Sequence, residues 1–336
     1  MEVLSGLRSP PTSGGSIAVR ERRLKSPEWD RVWRSKFERA FRDTDPINSL
    51  LDDFWSRIFS SCRSHGHVLD IACGNGALAR SLENALEAGD ETMRYVGVDK
   101  ASINPALDAS FGKLSARFIP NLAVEEASFQ QAEFDLIISQ FGLEYCNKVK
   151  TIELAANWIK PGGRMVLVTH SASSAITLES KQILEQLRLI EESAVIPLIY
   201  KLFERMEKLN ETTKTNDPEA NFLRQKINVT LTDLEAISKD LLESNFLEGT
   251  IALLVSLFAR NRSHIPPAIR KENLANLSRD LLHHKVRLSQ QSASAMGPKD
   301  SEFFISTMNK NGFKNIRLSP LRLGIEEIGQ AVESVF

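Results

Sequence analysis

Charge is close to cancelled in this chain: 42 Lys and Arg stand against 43 Asp and Glu, a formal net charge of -1 over 336 residues. A protein built to hold a nucleic-acid backbone carries a basic excess or stripe, so no nucleic-acid partner is expected. Cysteine is scarce. Cys62, Cys73 and Cys146 are widely spaced and odd in number, which fits neither a disulfide framework nor a zinc site. His264, His283 and His284 have no metal-ligand partners at a plausible spacing, and no metal is expected. Long apolar runs are missing as well. The longest, Ile251 to Ala259, falls far short of the roughly 20 residues that cross a bilayer. No N-terminal stretch reads as a signal peptide. No membrane partner is expected, the cytoplasm is the expected compartment, and the Asn-x-Ser/Thr triplets at Asn210, Asn228, Asn261 and Asn276 read as chance matches.

The remaining composition, 42% hydrophobic and 25% charged, is that of a soluble globular protein. The length exceeds one comfortable core, so an insertion or a second domain is expected. Residues 1–25, rich in Ser, Gly, Pro and Arg, predict a mobile tail. Residues 26–60 predict two helices. Ser26-Pro27-Glu28 reads as an N-cap with Pro at the first helical position, and Trp29, Val32, Trp33 and Phe37 then form a packing stripe. The second helix spans Pro46 to Phe59, with Leu50, Leu51, Phe54, Trp55 and Ile58 inward.

Residues 61–173 alternate short apolar runs with helical segments. Strands are predicted at His67–Ala72, Tyr95–Val98, Ala116–Ile119, Phe134–Ile138 and Met165–Thr169. Leu78, Leu82, Ala85 and Leu86 mark one intervening helix, ended by Gly89. Val149, Ile152, Ala155, Ala156 and Ile159 mark another, stopped by Pro161-Gly162-Gly163. The fold class implied is α/β, a doubly wound and mostly parallel sheet. Residues 174–300 hold no convincing strand. Helices are expected around 176–209, 232–243, 246–260 and 270–290, with Thr232 and Glu235 as a capping box and Pro218, Pro266 and Pro267 between them. Such a block inside an α/β domain reads as a helical insertion or cap. Residues 301–336 return to the sheet through a helix, Ser301–Asn311, and a strand, Asn315–Leu323. Residues 324–336 suit either a last strand or a helix.

Two strand tips carry the chemistry. Val68-Leu69-Asp70-Ile71-Ala72-Cys73-Gly74-Asn75-Gly76 sits where a strand becomes a helix, at the carboxyl edge where open α/β sheets bind ligands. Its glycines let backbone approach a ligand closely. A carboxylate such as Asp70 at the end of a buried strand is costly unless a partner satisfies it, and a cationic amino-acid ligand would. At the next tip, Val96-Gly97-Val98-Asp99 ends in an acidic residue able to accept two ribose hydroxyls.

Four runs in order resemble the class I S-adenosylmethionine (SAM)-dependent methyltransferases. Asp70-Ile71-Ala72-Cys73-Gly74-Asn75-Gly76 is similar to their first motif and Gly97-Val98-Asp99 to their second. Phe134-Asp135-Leu136-Ile137-Ile138-Ser139 is similar to their fourth, and Lys160-Pro161-Gly162-Gly163 to the turn before their fifth strand. The resemblance covers roughly residues 67–171, with a weaker echo at 301–323. It implies SAM as cofactor. Asp70, Ala72, Gly74, Asn75 and Gly76 would line its methionine part and Asp99 its ribose, with Lys100 and Ala101 beside the adenine. Asn121 and Leu122 would also meet the adenine, although the family often has Asp where Asn121 stands. Ser139, Gln140 and Phe141 would lie near the transferred methyl. His170 and Ser171 would face the substrate, and His170, Tyr145 and Glu144 are the candidate catalytic groups.

Gly74-Asn75-Gly76-Ala77-Leu78-Ala79 also fits a dinucleotide-binding pattern. An NAD-dependent oxidoreductase is disfavoured because Asp70 would oppose an anionic pyrophosphate. The Asx-Pro-Pro-aromatic signature of DNA amino-methyltransferases is absent, Ser139-Gln140-Phe141-Gly142 standing there, and no paired-glutamate loop for arginine methylation is evident. The expected reaction is therefore in-line methyl transfer to a small-molecule oxygen or nitrogen. Two alternatives stay open: the chain methylates or binds a protein partner through the insertion, or it binds SAM without turnover. The oligomeric state is not legible.

Overall fold

In a computed structural model the described residues are 27–34, 46–62, 66–86, 93–105, 114–209, 216–258 and 265–336. The expected tail, the Ser26 cap, Phe37 and Gly89 lie outside them.

The sheet is built from β1 (His67–Ile71), β2 (Met93–Val98), β3 (Leu114–Ile119), β4 (Phe134–Gln140), β5 (Ile159–Thr169), β6 (Lys314–Leu323) and β7 (Glu326–Val335). Their order is β3-β2-β1-β4-β5-β7-β6. Pairing is parallel from β3 through β5, and β7 runs antiparallel to both its neighbours. The sequence reverses direction across the sheet between β1 and β4, which opens a crevice at their carboxyl ends.

Alternation of side chains divides the core into two layers. Leu69, Ile71, Ile137, Met165 and Leu167 face α4 (Lys148–Trp158) and α10 (Pro298–Lys310). Val68, Leu136, Ile138, Val166 and Val168 face α2 (Pro46–Phe59) and α3 (Ala77–Ala85). A short α1 (Pro27–Arg34) precedes them. After β5 come α5 (Ala175–Glu192), α6 (Val195–Glu207), α7 (Pro218–Asp240), α8 (Asn245–Phe258) and α9 (Pro267–Ser294). These pack around a separate core of Ile199, Phe203, Ile227, Leu247, Leu254 and Leu274. The α/β sheet with a helical insertion after its fifth strand is the architecture expected from the pattern.

Several local readings differ. The fifth strand starts at Ile159 rather than Met165. The Pro161-Gly162-Gly163 kink stays in the sheet because Gly162 donates to Phe336 and Phe336 to Gly163, each at 2.9 Å, with Gly162 at φ 77°. The helix around 176–209 is two helices, since Ala194 turns left-handed at φ 54°. Thr232 and Glu235 form no capping box. They lie inside α7, which starts earlier because Asp217 accepts from Ala220 at 2.8 Å and Pro218 fits the first turn. Residues 326–335 are a strand, hydrogen-bonded on both sides.

Candidate active site

The carboxyl ends of β1, β2 and β4 enclose the crevice. After β1 the chain must bend at once to start α3, and Ala72, Gly74 and Gly76 take φ of 58°, 52° and 87° to do it. A side chain on Gly76 would meet Phe118 at 2.9 Å. The turn after β4 comes equally close. Phe141 is left-handed at φ 52°, and a Cβ on Gly142 would stand 2.5 Å from Ala72 Cβ.

Asp99 fixes the bend to the neighbouring loop. One carboxylate oxygen accepts from Gly74 N–H and the other from Ala101 N–H, both at 2.8 Å. Burial raises its pKa to about 6, with these backbone donors opposing the rise, so it is ionised at neutral pH. Asp70 lies deeper, 1% exposed. Oδ2 accepts a hydrogen bond from the Tyr95 phenol, while Oδ1 is buried with no partner. Burial pushes its pKa to about 8, the Tyr95 hydrogen bond working against this and Asp99 with it.

Two cavities follow the crevice. One of about 870 Å³ is bordered by Ala72, Asp99, Lys100, Ala101, Leu122 and Tyr145. The other, about 260 Å³, is bordered by Asp70, Gly74, Gln140, Phe141, His170 and Arg287. Trp29, Trp33, Ala72 and Phe141 line both. The expected packing stripe of α1 is thus turned onto the crevice: Asn75 donates to the Trp33 carbonyl at 3.0 Å, and Asp30 accepts from Ser102 N–H at 2.7 Å. From the other side α9 holds α1. Trp29 donates to Gln290 at 3.0 Å, Gln290 donates to Glu28 at 2.9 Å, and Arg31 pairs with Asp280.

The candidate catalytic groups cluster at one end. His170, 5% exposed, stacks on Phe141 with ring centroids 4.4 Å apart, and Tyr145 meets it edge-on at 6.2 Å. Burial depresses the His170 pKa to about 3, so the ring is neutral, and Nδ1 has no partner. Glu144 Oε1 accepts from His170 N–H at 2.7 Å, Oε2 is unpartnered, and burial lifts its pKa to about 7. The Tyr145 hydroxyl is also unpartnered, its pKa raised by burial and by Glu144.

Other expected site residues brace this surface, and of these only Gln140 borders a cavity. Ser139 donates to the Ile71 carbonyl at 2.7 Å and accepts from Leu143 N–H at 3.0 Å, which joins the β1 and β4 turns. Asn75 also accepts from Asn104 N–H at 2.8 Å, and Gln140 accepts from Trp55 at 2.6 Å. Asn121, at φ 57°, donates its N–H to the Ala101 carbonyl at 3.1 Å and lines neither cavity. Ser171 is 1% exposed and bridges to Met296. Sequence reasoning missed Tyr95, Arg287, Gln290 and Gln291. A tyrosine in β2 reads as core, and nothing in the 270–290 pattern points toward the sheet.

Among the described residues no group of three or more His, Cys, Asp or Glu is placed to hold a metal, and no helix is long and apolar enough to cross a membrane. The cofactor implied by the resemblance fits what is present. Its ammonium matches the orphaned Asp70 oxygen, and Ala72, Gly74 and Phe141 of the left-handed turns border the cavity beside it.

The family described as "Methyltransferase domain" matches residues 41–210, half of the chain. Among curated proteins, a malonyl-[acyl-carrier protein] O-methyltransferase of Alcanivorax borkumensis is 28% identical over 115 residues, 34% of this chain. The chain spans 38% of that relative's length. Among solved structures, the YcgJ protein of Bacillus subtilis is 24% identical with a TM-score of 0.33, over 42% of this chain and 59% of that one. Geranyl diphosphate C-methyltransferase of Streptomyces coelicolor A3(2), with S-adenosyl-L-homocysteine, is 16% identical with a TM-score of 0.29, over 38% and 47%. The motif order, the sheet with its antiparallel seventh strand and the family match over half the chain lead to one assignment: the protein belongs to the class I SAM-dependent methyltransferases.

Proposed function

We propose that the chain methylates a small molecule held between the sheet edge and the helical insertion. The observation that supports this is the roof: α1 and α9 lock to each other over the crevice through Trp29, Gln290 and Glu28, leaving a 260 Å³ space next to Asp70 and His170. A roofed space of this size suits a small acceptor better than a polymer. Asp70 would receive the cofactor's ammonium and Asp99 its ribose. Lys100, Ala101 and Leu122 would border the adenine, and Ala72, Gly74 and Phe141 the methionine chain. When bound, the cofactor supplies a methyl group already activated by its sulfonium.

What this chain does is align and dehydrate. Trp29 and Trp33 exclude water from above. His170 and Tyr145 offer unpartnered hydrogen-bonding atoms to the acceptor. His170, with a pKa near 3, orients better than it removes protons, and Glu144, near 7 but bordering neither cavity, would act through the His170 backbone it holds rather than by touching the acceptor.

Exposed apolar side chains on the insertion favour a second reading. Phe222 and Val229 on α7 and Leu253 on α8 are 64%, 55% and 55% exposed, a surface a protein partner could cover, including one that carries the acceptor. Methyl-labelled SAM incubated with fractionated cell extract separates the two: label in the small-molecule fraction supports the first, label confined to protein the second. Calorimetry with S-adenosylhomocysteine tests the cofactor site. Asp99→Ala is expected to lose at least tenfold in affinity, about 1.4 kcal/mol. Unchanged affinity refutes the ribose assignment.

A further inference from the structure

Arg287 borders a cavity, whereas Arg270, more deeply buried and also without a carboxylate partner among the described residues, borders neither cavity and packs on Phe203 and the Leu257 carbonyl. Arg31 pairs with Asp280, Arg57 with Glu333, Arg188 with Glu185 and Glu192, and Arg205 with Asp217. Arg287 is carried by α9 to the border of the smaller cavity, partly buried, and pairs with no carboxylate among the described residues. Its contacts are the His284 ring nitrogen at 2.7 Å and the face of Trp29 at 5.9 Å. Burial lowers its pKa, and burial together with Arg287 lowers that of His284 to about 4, which leaves His284 neutral at pH 7 and no counter-charge for the guanidinium among the described residues. Asp70 borders the same cavity, but the groups that act on its carboxyl are Tyr95 and Asp99, not Arg287.

A desolvated cation without an anion is costly, and a planar five-donor guanidinium is the side chain best shaped to bind an oxyanion at two points. Two further orphans lie at the same end of the crevice: the Tyr145 hydroxyl, close enough to influence Arg287 electrostatically, and His170 Nδ1. A lone cation with unpartnered hydrogen-bonding atoms beside it, walled by Phe141, Leu288 and Ile176, is a receptor for a small body with an anionic head.

We infer that Arg287 anchors the methyl acceptor through a compact oxyanion, a carboxylate or a phosphate, so the substrate class is a small anionic molecule. The inference rests on the methyl-transfer reading for what happens next to the anion. It does not rest on that reading for the binding of the anion.

The test uses the full chain and three probes: benzoate, inorganic phosphate, and benzamide as the uncharged control. Their binding is followed by tryptophan fluorescence, which Trp29 reports, with and without S-adenosylhomocysteine. Benzoate or phosphate is expected to bind saturably and benzamide at least tenfold more weakly. Arg287→Met is expected to lose at least tenfold in anion affinity while Arg287→Lys keeps part of it. Which of the two anions binds tells carboxylate from phosphate. Equal anion affinity in wild type and Arg287→Met overturns the inference, as does benzamide binding as well as benzoate, or anion binding by wild type that is absent once S-adenosylhomocysteine is bound, which would give Arg287 to the cofactor's own carboxylate. If Arg287→Met fails to fold, Arg287→Lys and the benzoate–benzamide contrast in wild type still decide. Failure of S-adenosylhomocysteine to bind would instead sink the methyl-transfer reading, and the Arg287 dependence of anion binding is read independently of it.

Discussion

The Tyr95 phenol donates its hydrogen bond to Asp70 Oδ2 across adjacent strands, in the middle of the sheet, with both side chains buried. This bond satisfies one oxygen and leaves the other without a partner, in a side chain that borders the smaller cavity.

Proton release on cofactor binding follows. With a pKa near 8, Asp70 is mostly protonated at pH 7, and an ammonium placed beside it favours the ionised form. Binding should therefore expel a proton, and affinity should rise with pH up to about 8. The check is calorimetry of S-adenosylhomocysteine in buffers of different ionisation enthalpy. Wild type is expected to release more protons than Asp70→Asn, and equal release would contradict the role given to Asp70.

Glu144 makes stability depend on pH. Its folded pKa, about 7, exceeds the ordinary 4.5, so the unfolded chain gives up the proton first as pH rises. The contribution to stability is full below about pH 4.5 and is lost as pH climbs through 7. The size is roughly 3 kcal/mol at 1.36 kcal/mol per unit. Glu144→Gln cannot titrate. Urea midpoints at pH 5 and pH 8 should differ less in this variant than in wild type, and parallel changes would count against the assignment.

Gly142→Ala should destabilise by about 1–3 kcal/mol, because its Cβ would stand 2.5 Å from Ala72 Cβ and push the two turns apart. Cofactor affinity should fall with it. A thermal midpoint within a degree of wild type would show that the turns can separate freely.

Legibility in the sequence followed the range of the forces involved. Strands β1 and β4 show as continuous apolar runs because burial on both faces demands them, whereas β3, at the sheet edge and largely unburied, shows only weakly; the Asp70–Gly76 bend shows because it needs glycine. The turn at Gly162 misled: it reads as a stop, but its hydrogen bonds come from Phe336, at the far end of the chain. The start of α7 was missed because Leu223, Ile227, Leu231 and Leu234 continue one apolar face past Thr232, so the nearer cap had no end to cap. Arg287 was invisible for a different reason. Its position over the crevice is set by how α9 crosses α1, a relationship between surfaces that no local spacing encodes.

Strand β7 follows the other six described strands in the chain and yet lies inside the sheet, between β5 and β6. During synthesis β5, complete at Thr169, must wait through the five insertion helices, α10 and β6 with one flank unfilled until residues from Glu326 onward emerge. The insertion helices carry their own apolar centre, so they can consolidate first while the sheet stays open beside them. Completion of the sheet on its β5 flank is thus timed by the β6–β7 hairpin, and a ribosome stalled before it would hold a cap beside an unfinished sheet.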